Sequence, residues 1–218
     1  MNLLCPICNE PFLEKVQGIC YCVSCGLGMD VTSADGIYGD EYLIHYLLYE
    51  TTEFTKTLMR QRMNFVQEYA PIVRTDSLLD YGCGAGTFGD YVNVNSLLNV
   101  YSYDPFLKKD HSFIQYLKEH KKFNVITFWD SFEHIRRLGI IPLLRGDYIF
   151  LTIPIIDQME KGLKYWKHYV PGEHVWYFST NALVALFGKW NYKLIGQSDF
   201  EERLRSSGIK SFCFKHGG

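Results

Sequence analysis

The run Leu78-Leu79-Asp80-Tyr81-Gly82-Cys83-Gly84-Ala85-Gly86 limits the fold more than any other stretch of this chain. A short apolar segment reaches an acidic residue, three glycines alternate, and a helical pattern follows over residues 88–94. Strand, glycine turn and helix in that order call for an open, mostly parallel sheet. Glycine lets the backbone pass close beneath a ligand, and the turn lies at the carboxyl end of a strand, where such sheets take their ligands. The alternation continues downstream. Apolar runs at 100–104, 124–128, 147–152, 192–198 and 210–214 join 77–80 as strands, and 112–120, 131–138 and 180–187 read as helices, with Ser179 as the N-cap of the last. The final two strands are joined by a polar loop at 201–208 without a helix, which implies an antiparallel pair at one edge.

Upstream, residues 38–70 read as helix, with Phe54, Leu58, Phe65 and Tyr69 on one core-facing stripe and Pro71 as the stop. Tyr38 and Tyr42 precede the helix proper and are the aromatics of this segment most open to another role; His45 falls in a helical stretch of unknown facing.

The first 30 or so residues differ. Cys5-Pro-Ile-Cys8 and Cys22-Val-Ser-Cys25 are two C-x2-C pairs separated by 13 residues, enough for a small hairpin that brings them together. Four thiolates on two facing turns suit tetrahedral Zn²⁺, and four protein ligands leave no open position, so the metal is structural. Cys20 could replace Cys22 as a ligand; the pair spacing favours Cys22. Seven cysteines, an odd count with two close pairs, point to metal in a reducing compartment rather than to a disulfide framework. The N-terminal residues lack a basic region and an apolar signal core, and no apolar run approaches the roughly 18 residues of a membrane span. The expected location is the cytoplasm, with no membrane partner.

Length and charge set the outer limits. A chain of 218 residues allows one main domain and an appendage, divided here as a ribbon at 1–32, a helical connection at 33–72 and an α/β domain at 73–218. A net charge of −2 argues against a strongly cationic nucleic-acid surface.

Asp104 ends the second strand, 18 residues after Gly86, where its carboxylate can accept hydrogen bonds from both hydroxyls of a ribose. Gly84-x-Gly86-x-x-Gly89 matches the dinucleotide fingerprint formally, but the loop is better written Asp80-x-Gly82-x-Gly84-x-Gly86. In that form it resembles the first motif of class I S-adenosylmethionine-dependent methyltransferases. Residues 123–135, ending Trp129-Asp130-Ser131-Phe132-Glu133-His134-Ile135, look like that family's fourth-strand motif, and 149–154 like its fifth strand. Gly172-Glu173-His174-Val175-Trp176-Tyr177-Phe178-Ser179 is similar to a segment of small-molecule members, among them ubiquinone-pathway O-methyltransferases and deoxysugar C-methyltransferases. The sugar enzymes also begin with a four-cysteine zinc module. This chain departs from them at Pro171, where they often carry Tyr.

The resemblance implies a Rossmann-like α/β sheet with a terminal antiparallel pair, S-adenosylmethionine as cofactor and a small-molecule acceptor. Between Asp104 and Phe123 there is room for one helix only, so the family's third strand is expected to be missing. The resemblance puts Asp80, Gly82, Cys83, Gly84 and Gly86 under the cofactor's amino-acid part and Asp104 on its ribose. Pro105 and Phe106 flank the adenine, with Trp129 and Asp130 on the other side. Methyl transfer needs donor and acceptor held nearly collinear, and sometimes a base. His174 is the acceptor-side candidate, with Glu173 beside it and His134 and Tyr177 as further candidates; the aromatic loop at 155–171, with Tyr165, Trp166 and Tyr169, reads as a pocket wall or lid. Two other functions share these features: a non-catalytic cofactor-binding or partner-binding module, and a nucleic-acid methyltransferase that uses the ribbon for recognition.

Overall fold

The structure is a computed structural model that describes residues 4–12, 14–16, 18–32, 52–74, 76–107, 110–158, 165–205 and 207–218. Tyr38, Tyr42 and His45 lie outside the described residues.

The main sheet has six strands: β4 (Ser77–Tyr81), β5 (Asn99–Tyr103), β6 (Phe123–Trp129), β7 (Gly146–Pro154), β9 (Tyr192–Ser198) and β10 (Ile209–His216). They are ordered β5-β4-β6-β7-β10-β9, the first four parallel and β10 antiparallel to both its neighbours. Among the described residues the sheet stops at β5, with no third strand beyond it, and the terminal antiparallel pair is as the sequence led us to expect.

Alternation along the strands builds two apolar faces. Leu78, Val125, Trp129, Phe150 and Cys213 pack beneath α1 (Glu53–Tyr69), α2 (Thr87–Asn95) and α6 (Phe200–Leu204). Leu79, Ile126, Phe128, Ile149, Leu151, Phe212 and Phe214 face α3 (Ser112–His120), α4 (Ile141–Leu144) and α5 (Thr180–Lys189). α1 begins where the Thr52 hydroxyl accepts the Thr55 N–H at 3.1 Å, and buries Leu58, Met59, Met63, Phe65 and Val66 on the sheet. Phe54, expected on that stripe, is exposed. Ser179 caps α5 as expected, accepting the Ala182 N–H at 3.0 Å.

Two further expectations are corrected. Residues 131–138 are not a helix but two 3₁₀ turns, Phe132–His134 and Leu138–Ile140. Asp130 enters them with a left-handed φ of 52°, and the carbonyls of Glu133 and Ile135 are taken by Val175 N–H and the Trp176 indole N–H rather than by a following helical turn. The polar loop at 201–208 opens instead with α6, whose Glu201 is fully buried because two arginines pair with it.

A second sheet holds β1 (Glu14–Val16), β2 (Ile19–Tyr21), β3 (Gly28–Asp30) and β8 (Trp176–Tyr177), all antiparallel. Three of its strands come from the N-terminal segment and the fourth from the 172–179 stretch, so the small sheet is built from both ends of the chain. Cys5, Cys22, Ile7 and Leu27 are continuous with the core under α5, and Lys189 at the end of α5 donates to the Pro6 carbonyl at 2.9 Å.

Candidate active site and four-cysteine cluster

Each cysteine pair sits on the same backbone turn. Cys5 N–H donates to Glu10 O and Asn9 N–H to Cys5 O; seventeen residues on, Cys22 N–H donates to Leu27 O and Gly26 N–H to Cys22 O. Asn9 and Gly26 occupy equivalent left-handed positions, with φ of 63° and 73°. The two turns bring Cys5 Sγ to 3.4 Å from Cys25 and Cys8 Sγ to 3.2 Å from Cys22. All four sulfurs lie within 4.8 Å of one another, near the spacing of about 3.8 Å between sulfurs of a tetrahedral site with metal–sulfur bonds of about 2.3 Å. Ile7 N–H points at Cys5 Sγ from 3.4 Å. Burial pushes the Cys5 and Cys25 thiols up, whereas at Cys22 hydrogen bonds from Cys8 and nearby main-chain amides outweigh burial and bring the thiol down to about 7. Cys20 lies on β2 opposite Met29, away from the cluster.

At the end of β4, Asp80 is buried and accepts the Thr127 hydroxyl at 2.8 Å. Gly82, Gly84 and Gly86 all have positive φ, at 76°, 56° and 101°. Gly82 is also confined, because a Cβ there would collide with Ser131, whose hydroxyl donates to Tyr81 O at 2.8 Å. Gly86 is the left-handed N-cap from which α2 starts. The N–H groups of Gly82 and Cys83 both reach Tyr103 O, which fastens the loop to the end of β5.

Asp104 follows directly. Its carboxylate accepts Gly84 N–H at 3.1 Å and the N–H groups of Phe106 and Leu107 at 2.8 Å each. A carboxylate has about four acceptor positions, so this one still has room for a ribose hydroxyl. Pro105 and Phe106 beside it are exposed, Phe106 to 47 %, an apolar platform at the rim. The glycine loop, Asp104 and this platform fit the amino-acid, ribose and adenine parts of S-adenosylmethionine.

Trp129 and Asp130 have other partners. The Trp129 ring is buried, edge-on to Phe88 and 5.0 Å beneath the Arg62 guanidinium, so its expected stacking against adenine gives way to packing under α1 and α2. The Asp130 carboxylate is gripped by Arg62 at 2.7 Å and by Arg205, which reaches both oxygens at 2.7 Å. Both arginines also bind Glu201, Arg62 from 2.7 and 3.0 Å and Arg205 from 2.7 Å. Burial alone would raise the Asp130 carboxyl, yet Arg205 and Arg62 hold it down to about 2. Sequence reasoning missed this four-charge network; a lone Arg on the buried stripe of α1 was its signal.

The 172–177 segment is clamped from two sides. On the side of the small sheet, β8 pairs with β3, Asp30 N–H donates to Val175 O at 2.9 Å, and the Asp30 carboxylate accepts Gly172 N–H at 2.7 Å. On the sheet side, Val175 N–H donates to Glu133 O at 3.0 Å, the Trp176 indole to Ile135 O at 2.8 Å, and His134 Nδ1 to Glu173 O at 3.0 Å. Glu173 therefore supplies its main-chain carbonyl to His134. The two imidazoles stand edge-on, centroids 4.8 Å apart at 86°. Burial, with His134 and His168 nearby, lowers His174 to about 3, and burial lowers His134 as well, so both rings are neutral at pH 7. Burial, reinforced by the Asp130 charge, raises the Glu133 carboxyl well above its ordinary range.

Tyr177, a catalytic candidate in the sequence, is 1 % exposed and packs with Ile19 of the small sheet. Burial pushes its hydroxyl upward, and it belongs to the joint between the sheets rather than to an acceptor pocket. Trp166 and Tyr169 of the aromatic loop pack on the same ring, each 6.2 Å from it.

None of the curated proteins matches the chain in sequence. Among solved structures, phosphoethanolamine N-methyltransferase 2 of Haemonchus contortus, in complex with phosphomonomethylethanolamine and S-adenosylhomocysteine, is similar with a TM-score of 0.61 at 11% identity, over 83% of this chain and 59% of that one. The PH0226 protein of Pyrococcus horikoshii gives 0.55 at 13% identity, over 82% of this chain and 100% of that one. Magnesium protoporphyrin IX methyltransferase of Synechocystis, with bound S-adenosylhomocysteine, gives 0.52 at 12%, over 84% and 90%. Such identities speak for the fold. The family model described as a methyltransferase domain matches residues 52–197, from the N-cap of α1 to the edge strand β9 and through every element that builds the glycine-loop site. With well over half its length inside that match, the chain belongs to the methyltransferase domain family.

Proposed function

We propose that this enzyme methylates a small-molecule acceptor held between the glycine loop and the 172–177 segment, and that the four-cysteine cluster carries a structural Zn²⁺. One continuous set of contacts supports the reading. Ser131 packs on Gly82 in the cofactor loop, and two residues further along the same turn Glu133 and His134 carry the segment that holds His174. S-adenosylmethionine, when bound, supplies a methyl group on a sulfonium centre. The chain's own residues then have separable tasks. Asp80, Gly82, Cys83, Gly84 and Gly86 cradle the amino-acid part, Asp104 takes the ribose, Pro105 and Phe106 support the adenine, and Trp129 and Asp130 brace the frame. His174 and His134 orient the acceptor through neutral imidazole lone pairs, and Glu173 keeps His134 in place.

Calorimetry with S-adenosylmethionine and S-adenosylhomocysteine, followed by a labelled-methyl assay on a cell extract, tests this. Cofactor binding with label in the small-molecule fraction is expected; label confined to RNA or protein, or no transfer at all, overturns it. Asp104→Ala is expected to weaken cofactor binding by about 1.5–3 kcal/mol, the worth of hydrogen bonds to a charged acceptor. A loss no greater than that of an exposed control such as Asp199→Ala would put the ribose elsewhere.

For zinc, elemental analysis of protein purified without chelator should find at least one ion per chain, and Cys22→Ser should hold one ion fewer. Because β3 holds β8 and Asp30 holds Gly172, metal loss should also loosen the segment carrying His174. Faster amide exchange at Val175 and Tyr177 would report it. Full zinc occupancy in Cys22→Ser would sink the assignment.

A further inference from the structure

We propose that Glu133, His134 and His174 form a binding site for one first-row divalent cation at the acceptor end of the active site, separate from the four-cysteine cluster. The donor set is one carboxylate and two imidazoles, whose ligand atoms all lie within 4.8 Å of one another. Two donors on a common ion at about 2.1 Å are at most about 4.2 Å apart, a spacing that small side-chain rotations reach from this one. His134 Nε2 already stands 4.0 Å from Glu133 Oε1.

Three features argue for a ligand rather than a packing role alone. Among the described residues Glu133 Oε2 is buried and has no hydrogen-bond partner, on a side chain only 4 % exposed. A buried carboxylate oxygen left without a partner is costly, and a cation resolves the cost. His134 Nδ1 can only donate to the Glu173 carbonyl, which makes Nε2 the lone-pair nitrogen of the neutral ring. Metal-bound histidines are commonly held in this way, with the second ring nitrogen donating to a main-chain carbonyl. Finally, the Val175–Glu133 hydrogen bond and the Trp176–Ile135 hydrogen bond fix the two donor segments against each other before any ion arrives.

The chemistry selects the ion. Two imidazoles and one carboxylate suit Mn²⁺, Fe²⁺, Co²⁺ or Zn²⁺ and disfavour Ca²⁺ and Mg²⁺, which prefer all-oxygen shells. Three protein donors leave open positions, and an acceptor hydroxyl bound there would release its proton to water more readily. The oxygen then bonds to the methyl carbon as the carbon–sulfur bond breaks, and that electron pair returns to sulfur. The inference rests on the reading that the acceptor lies at His174, and gives the imidazole's role there as a ligand.

The test is Mn²⁺ titration of the zinc-loaded full chain, followed by the paramagnetic resonance signal of free Mn²⁺. Thiolates are poor Mn²⁺ ligands, so the cysteine cluster does not compete. One Mn²⁺ per chain is expected, with affinity at least about tenfold weaker in Glu133→Gln and in His134→Asn. The near-isosteric Glu133→Gln preserves packing, and cofactor calorimetry on each variant checks that it is folded. No Mn²⁺ binding to the unaltered chain, or binding unchanged in both variants, overturns the site. Methyl transfer that is as fast without Mn²⁺, Fe²⁺, Co²⁺ or a second Zn²⁺ as with them overturns the inference and leaves the proposed function standing. Stoichiometric, variant-sensitive Mn²⁺ binding without methyl transfer to any small molecule supports the cation site and counts against the proposed function instead.

Discussion

Turnover in His174→Gln is expected to fall by about 10²–10⁴, the usual contribution of a positioned group that manages the acceptor's proton. Cofactor affinity and melting temperature should hardly move. The backbone geometry around His174 is set by its main-chain N–H to Val170 O and by the paired carbonyls and amides of residues 173–175, none of which the substitution touches. The split between kcat and cofactor binding is the decisive readout. A variant that is unstable but turns over normally in its folded fraction would make His174 a packing residue and shift attention to His134.

Arg62→Met should destabilise the fold by about 3–5 kcal/mol, because removing one member of a buried ion network leaves its partners desolvated and unpaired. Here the stranded groups are Glu201, fully buried, and one face of the Asp130 carboxylate. Arg205 remains, but it would face two carboxylates alone. Urea unfolding reads the effect as a lower midpoint at unchanged slope. A loss under about 1 kcal/mol would show that the network behaves like an exposed ion pair. The same network sets an acid limit. Asp130 ionises lower in the fold, at about 2, than in the unfolded chain, near 4. Its stabilisation is complete above about pH 4 and lost as pH falls from about 4 toward 2, and Arg62→Met should shrink that acid limb.

Much of the frame was legible beforehand because its signals are local. The run from Leu78 to Gly86 contains its own strand, turn and helix start, and the positive φ angles of Gly82, Gly84 and Gly86 answer to residue type alone. The absent third strand followed from chain length: nineteen positions from Asp104 to Phe123 hold one helix and its turns. Spacing also paired the cysteines, since Cys22 repeats the hydrogen-bonded turn of Cys5 and Cys20 does not.

The 172–177 segment and its partners were only half legible. His174 and His134 could be named from the sequence, but Tyr177 was misread because an aromatic beside a candidate histidine gives no sign of which sheet it enters. Residues 131–138 read as helix since the pattern fits one turn as well as several. What ended it was a competitor for its carbonyls lying some forty positions downstream.

The sequence by itself therefore determined the parallel core, the glycine loop, the acid that ends the second strand and the cysteine spacing, all of which depend on neighbours within about twenty residues. Only the tertiary structure decided the rest. It joined β8 to the N-terminal strands, brought Glu133 and His134 against His174, and drew Arg62 to Asp130 and to Glu201, 139 positions away. Periodicity tells which side of an element is buried, but a buried charge or an unsatisfied main-chain group takes whatever partner the packing delivers.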